Sequence, residues 1–148
     1  YIAGLLHDFG KVVFAQFMPK EFSEALALSR CDNTSLHLAE QQIIGADHTV
    51  VGSMLAERWQ FAQPLVDCIR HHHSAEVEAS AMPTCLFLAN QISKIMQFGN
   101  SGNPCIEEAT LGQLQYFGAV SLEQVIPSQD DLDKVLMEAK LFGQLGTA

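Results

Sequence analysis

The chain has 148 residues, 48% hydrophobic and 17% charged, which is enough apolar material for one packed domain and too much for a disordered chain. Eight Lys+Arg against seventeen Asp+Glu leave a formal charge of −9, so the chain lacks the basic face that nucleic-acid binding or docking on anionic lipid requires. No apolar run approaches the roughly 18–20 residues that cross a bilayer, and Cys31, Cys68, Cys85 and Cys105 lack the paired spacing of a zinc knuckle or disulfide framework. They read as free thiols of a reducing, cytoplasmic compartment.

The periodicity is helical along almost the whole chain, which predicts an all-α fold, a compact bundle of short helices. The chain opens inside an apolar segment, Tyr1 to Leu6, as a piece of a longer polypeptide would. Residues 2–17 read as one helix, apolar nearly all round (Leu5, Leu6, Phe9, Val12, Val13, Phe14, Phe17) and so buried, with Pro19 as its stop. A second helix fits 20–30. A turn at Asp32–Ser35 then caps a third that Gly45 closes. Asp47 caps a helix to Trp59, and Pro64 opens one to about His73. Residues 74–82 are small and polar, a loop, before a helix from Pro83 to about Phe98. Residues 99–104 are turn-rich, and short helices fit 107–118 and 121–126. Ser128, with Asp131 three residues on, caps a last amphipathic helix through Leu136 and Leu141.

Six histidines stand out against the acidic background. His7-Asp8 falls within the apolar first helix, where a carboxylate is costly unless it is paired or ligates a cation. Lys11 shares their side of the helix, three residues after Asp8 and four after His7, so an Asp8–Lys11 ion pair beside a core histidine is the plain alternative. His48 lies on the apolar stripe of Val51, Leu55 and Trp59, as a ligand or as a core histidine behind a capping Asp47. In His71-His72-His73 the stripe of Leu65, Cys68 and Ile69 draws His72 and His73 inward and leaves His71 on the polar side. His37 reads as a surface residue. Together His7, Asp8, His48, His72 and His73 occupy inward faces of three helices, a ligand set suited to divalent zinc, manganese, iron or nickel. Such a site can generate hydroxide for attack on a phosphate.

Gly4-Leu5-Leu6-His7-Asp8-Phe9-Gly10-Lys11 resembles the core motif of the HD superfamily of metal-dependent phosphohydrolases. Asp47-His48-x-x-Val51-Gly52-x-x-Leu55-Ala56-x-Arg58-Trp59, Pro64 and Ile69-Arg70-His71-His72-His73 are similar to its HDOD branch, the HD-related output domain of bacterial signalling proteins. The ordered motifs cover residues 2–100, with a looser match to the family's C-terminal helices beyond. The resemblance makes residues 1–148 one such domain lacking the full domain's upstream helices. It implies metal ligation by His7, Asp8, His48, His72 and His73, with iron, manganese, nickel, zinc or magnesium as the cation. Three features depart from the catalytic pattern. Asn90 stands at the position of the superfamily's distal Asp, the upstream His would precede Tyr1, and Ser74-Ala75-Glu76-Val77 replaces the glycine-tyrosine-proline signature of the related cyclic-di-GMP phosphodiesterases.

The expected function is therefore a bacterial signal-transduction output module, non-catalytic and acting through contacts with signalling domains or partner proteins. The alternative is a metal-dependent phosphohydrolase acting on a nucleotide or other phosphorylated small molecule, with Asp8 and Lys11 in catalysis and Lys11 or Arg70 neutralising phosphate. A third reading is a sensor whose pocket reads a nucleotide or a metal ion. An uncovered apolar opening helix would also favour a homodimer.

Overall fold

The computed structural model describes residues 1–74, 81–98, 100–103 and 105–145, with side chains as far as 138. The fold is all-α, and no strand occurs among the described residues. The helices are α1 (Ile2–Leu6), α2 (Phe9–Phe17), α3 (Pro19–Asp32), α4 (Leu36–Ile44), α5 (His48–Arg58), α6 (Gln63–His71), α7 (Ala81–Ile95), α8 (Leu111–Gln115) and α9 (Gln129–Leu145). A 3-10 turn, Leu122–Gln124, precedes α9.

The first expected helix is two. The chain breaks at His7-Asp8, where Asp8 adopts φ −93°, ψ 8° and starts α2. Nor is this segment buried all round. Only Gly10 and Phe14 of α2 are buried, while Leu5, Val12 and Phe17 are 70%, 57% and 76% exposed. Pro19 opens α3 rather than merely ending its predecessor, as a ring without an N–H suits a first helical turn. Gly45 closes α4 at φ 87°, in the left-handed region where glycine carries no Cβ penalty. Asp47 caps α5 by accepting from the N–H groups of Thr49 and Val50.

Packing is sequential. α3 lies on α4, α5 lies on α2 and α6, and α6 touches α1 and α7. Ala56, Val66 and Ile69 make one core cluster between α5 and α6, and Ala25, Leu36 and Ala39 make another between α3 and α4. Phe87 and Leu88 of α7 pack with Leu114 and Ala119 in a third.

α8 is shorter than the 107–118 expected, because Glu107 is drawn elsewhere. Its N–H donates to Gln91 Oε1 and its carboxylate turns toward His73. Ser128 and Asp131 do cap α9: Asp131 N–H donates to Ser128 Oγ, and the hydroxyl donates to Asp131 Oδ2. The loop expected at 74–82 ends earlier, since α7 already begins at Ala81, and its residues 75–80, with Gly99, Pro104 and the Leu141 side chain, lie outside the described residues.

Candidate metal centre

Every candidate ligand sits at a helix end. Asp8 is at the α1–α2 break, His48 is the first residue of α5, His72 caps the C-terminus of α6, and His73 lies in the turn beyond it. Adjacent residues inside a helix diverge by about 100°. Because α6 ends at His71, both His72 and His73 can face inward. The close approach of α2 and α5 that brings Asp8 to His48 depends on Gly10, where an added Cβ would lie 2.0 Å from the His48 carbonyl oxygen.

Asp8, His48, His72 and His73 each offer one ligand atom, and these atoms lie within 4.8 Å of one another. Asp8 Oδ1 is 3.4 Å from His48 Nε2 and 3.7 Å from His72 Nε2. Around a tetrahedral cation with bonds of about 2.1 Å, neighbouring donor atoms stand about 3.4 Å apart. Asp8 Oδ1 and the Nε2 atoms of all three histidines are buried and lack a hydrogen-bond partner among the described residues. Each such orphan costs about 1–3 kcal/mol, and a divalent cation would satisfy all four at once. The residues present therefore fit a metal.

The other ring nitrogens explain why Nε2 is the free one. His72 Nδ1 donates to the Ile69 carbonyl at 2.7 Å, which fixes the proton on Nδ1. His48 Nδ1 meets Glu40 Oε2 at 2.5 Å, and His73 Nδ1 meets Glu107 Oε2 at 3.1 Å. Carbonyl and carboxylate partners of this kind orient metal-binding imidazoles.

His7 stands beside this group rather than in it. Its Nδ1 donates to the Gly4 carbonyl, and its Nε2 lies 3.5 Å from the other Asp8 oxygen, Oδ2. Lys11 Nζ donates to the same Oδ2 at 2.8 Å and to the Ser101 carbonyl at 3.2 Å. The Asn90 side chain, on α7, makes no hydrogen bond among the described residues and lines a separate small cavity. Arg70 is turned away, donating to Glu57 and Ser53.

Burial would push the Asp8 carboxyl up, but the imidazole of His72, the Lys11 ammonium, His7 and His48 outweigh it and hold Asp8 well below the usual carboxylate range. Burial presses His7 and His48 downward, and His73 to about 4. Glu40, fully buried, is pushed up to about 8 by its burial, against the pull of the His48 N–H. Glu107 goes the other way, to about 2, as the His73 hydrogen bond and charge, Lys94 and the Ser35 hydroxyl overcome its burial.

Three residues of this neighbourhood escape the sequence reading. Glu40 lies between Leu36 and Ile43 on the buried stripe of α4, a misplaced charge that could have announced it. His37 is not a surface residue: its side chain is 17% exposed, and its ring stacks on His73 with centroids 4.6 Å apart. Glu107 comes from an irregular segment that the sequence assigns to the start of a helix at 107–118.

The family model described as the HDOD domain matches residues 1–75, just over half of the chain. The chain belongs to the HDOD domain family. A protein of Treponema pallidum (strain Nichols) described as uncharacterized is 27% identical over 128 residues, covering 84% of this chain and 24% of its own length. The crystal structure of an HDOD domain protein with unknown function from Geobacter sulfurreducens matches with a TM-score of 0.66 and 26% identity, over 93% of this chain and 50% of that one. This HDOD chain thus spans about a quarter of the curated relative and half of the solved one.

Proposed function

We propose that this HDOD domain is a signalling output module whose motif helices are tied together by a divalent cation on Asp8, His48, His72 and His73, and that it acts through protein contacts rather than by hydrolysis. The observation that carries this reading is the convergence of four buried, partnerless ligand atoms from three separate helix ends. A full set of four protein ligands is the mark of a closed, structural site, whereas catalytic sites keep a position open for water or substrate. When bound, the cation supplies cross-linking energy to the fold. His48 and His72 are fully buried, and Lys11 is committed to Asp8 and Ser101. Asn90, at the position of the superfamily's distal Asp, brings no charge. Large exposed apolar side chains, among them Phe17, Met54 and Trp59, suit a domain that works by contact. No described helix is long and apolar enough to cross a membrane, and the four cysteines are free, in keeping with a reducing, cytoplasmic setting.

The test pairs metal content with turnover. Reconstituted protein should hold one divalent ion per chain, lose it in Asp8→Ala or His72→Ala, and show no phosphohydrolase turnover with manganese, iron, nickel or magnesium. Turnover of a nucleotide or phosphomonoester that Asp8→Ala abolishes would establish the hydrolase alternative instead.

A further inference from the structure

A second polar cavity, of about 190 Å³, lies between α7 and the segment that follows it, lined by Asn90, Lys94, Gln97, Asn100 and Asn103 with Ser93, Phe98 and Ser101. Its wall holds an ammonium and three asparagine amides and, among the described residues, no carboxylate. In a chain with seventeen Asp+Glu and eight Lys+Arg, that is a local reversal of sign.

The polar groups there are donors to spare. Asn103 is 4% exposed, and its Oδ1 accepts from the N–H groups of Leu36 and Cys105, each at 3.3 Å. That orientation commits the amide's oxygen to holding the wall, and Nδ2, enclosed and without a partner among the described residues, does not open on the cavity. Asn100 Oδ1 accepts from the Gly102 N–H at 2.9 Å, so its amino group is the free end. The Asn90 side chain makes no hydrogen bond among the described residues, where Lys94 Nζ binds only the Cys105 carbonyl, at 2.8 Å. The carboxylates that act on Lys94 from outside the wall are Glu107 and Asp8, which are already held by histidines and by Lys11.

We propose that this cavity binds a phosphate-sized oxyanion, free or as the terminal phosphoryl group of a larger molecule, with Lys94 supplying the charge and Asn90 and Asn100 the hydrogen bonds. Charge-assisted hydrogen bonds from an ammonium and amides are what such an oxyanion recruits. The volume decides the size class. It falls below the roughly 300–1,000 Å³ of sites that enclose drug-sized ligands, so the cavity has room to enclose a phosphoryl group but not a whole nucleotide. Asn90 matters by its neutrality, since an aspartate there would put a negative charge on the wall. The Lys11 contact with both Asp8 and the Ser101 carbonyl joins this cavity to the metal centre, yet the proposal stands whether or not a cation is bound there.

The experiment is an NMR titration of the full chain, stripped of metal on an immobilised chelator, with inorganic phosphate and, separately, methyl phosphate. Saturable shifts centred on residues 90–103 are expected with phosphate. Parallel shifts with methyl phosphate would show that a phosphoryl group on a larger molecule is accepted, and shifts with phosphate alone would show that the free anion is the ligand. Lys94→Met should abolish the shifts and Asn90→Asp should weaken binding at least tenfold. Lys20→Met, at an exposed position of α3, should leave binding unchanged, with all three variants keeping the wild-type melting profile. No saturation in the millimolar range, shifts centred elsewhere, or equal binding by Lys94→Met and wild type would overturn the proposal. Because the titration uses metal-free protein, its failure is separate from any failure of the metal centre.

Discussion

At the scale of single residues, the centre is organised by what holds the far side of each ring. His48, His72 and His73 all spend Nδ1 on an oxygen and keep Nε2 for the interior. Glu40 is the most exacting of these partners, because both it and His48 are fully buried and its Oε2 also accepts the His48 backbone N–H. Glu40→Ala should therefore keep the helix but release the ring, weakening metal affinity about 10–100-fold in a chelator competition, with an unchanged circular dichroism spectrum. Unchanged affinity would reduce Glu40 to a packing role.

The same burial gives metal-free protein a definite response to pH. His7, His37, His48 and His73 all have their protonated forms disfavoured in the folded state. The unfolded chain thus takes up protons below about pH 6.5 that the folded chain refuses, and stability is lost as pH falls from there toward about 4, where His73 titrates. Glu40 acts in the opposite sense, since its folded-state value of about 8 lies above the unfolded one and its contribution is lost as pH rises toward 8. Four histidines outweigh one glutamate. The urea midpoint in the presence of chelator should fall between pH 7 and pH 5, and a rise would mean that the imidazoles are not buried neutral.

At the scale of elements, the decisive packing is α2 against α5 through glycine. A Cβ at Gly10 would meet the His48 backbone at 2.0–2.8 Å, atoms that cannot step aside without moving the helix. At Gly52 it would meet Ile69 Cγ2 at 3.2 Å and the Gly10 N and Cα at 3.4 and 3.8 Å. Gly10→Ala should cost about 3 kcal/mol or more and carry Asp8 out of reach of His48, whereas Gly52→Ala should cost about 1–2 kcal/mol with metal retained. Thermal melts with metal analysis check both, and equal effects at the two sites would contradict the packing.

Elements were also where the sequence spoke most clearly, and where its limits lie. Asp47, Gly45, Pro64 and Ser128 mark helix ends by local chemistry that needs no tertiary context, and the structure places helix ends at or beside each of them. The break at His7-Asp8 carries no Gly or Pro. It follows from a carboxylate drawn to Lys11 and the histidines, which periodicity cannot register. The stripe of Cys68 and Ile69 made the inward placement of His72 and His73 legible, but His48 is buried on a face with Gly52 and Ala56, while Trp59 of its expected stripe is 51% exposed. His37 was not legible, because its ring is covered by stacking on a residue 36 positions away, nor was Glu107, which reaches the site from an irregular segment.

At the scale of the whole molecule, the cation is what would make these helices one unit. α1–α2, α5 and α6 meet at a point where apolar contact is replaced by a cluster of partnerless polar atoms, so the fold is weakest where its family motifs converge unless that charge is met. Of the seventeen Asp+Glu only Asp8 is a proposed ligand, while Glu40 and Glu107 serve the centre by holding the His48 and His73 rings. Anomalous-difference diffraction from crystals of the zinc-loaded chain tests the account most directly. A single peak within roughly 2.0–2.3 Å of Asp8 Oδ1 and the Nε2 atoms of His48, His72 and His73 is the predicted result. A peak at another site, or none there with the three Nε2 atoms hydrogen-bonded directly to Asp8, would contradict it.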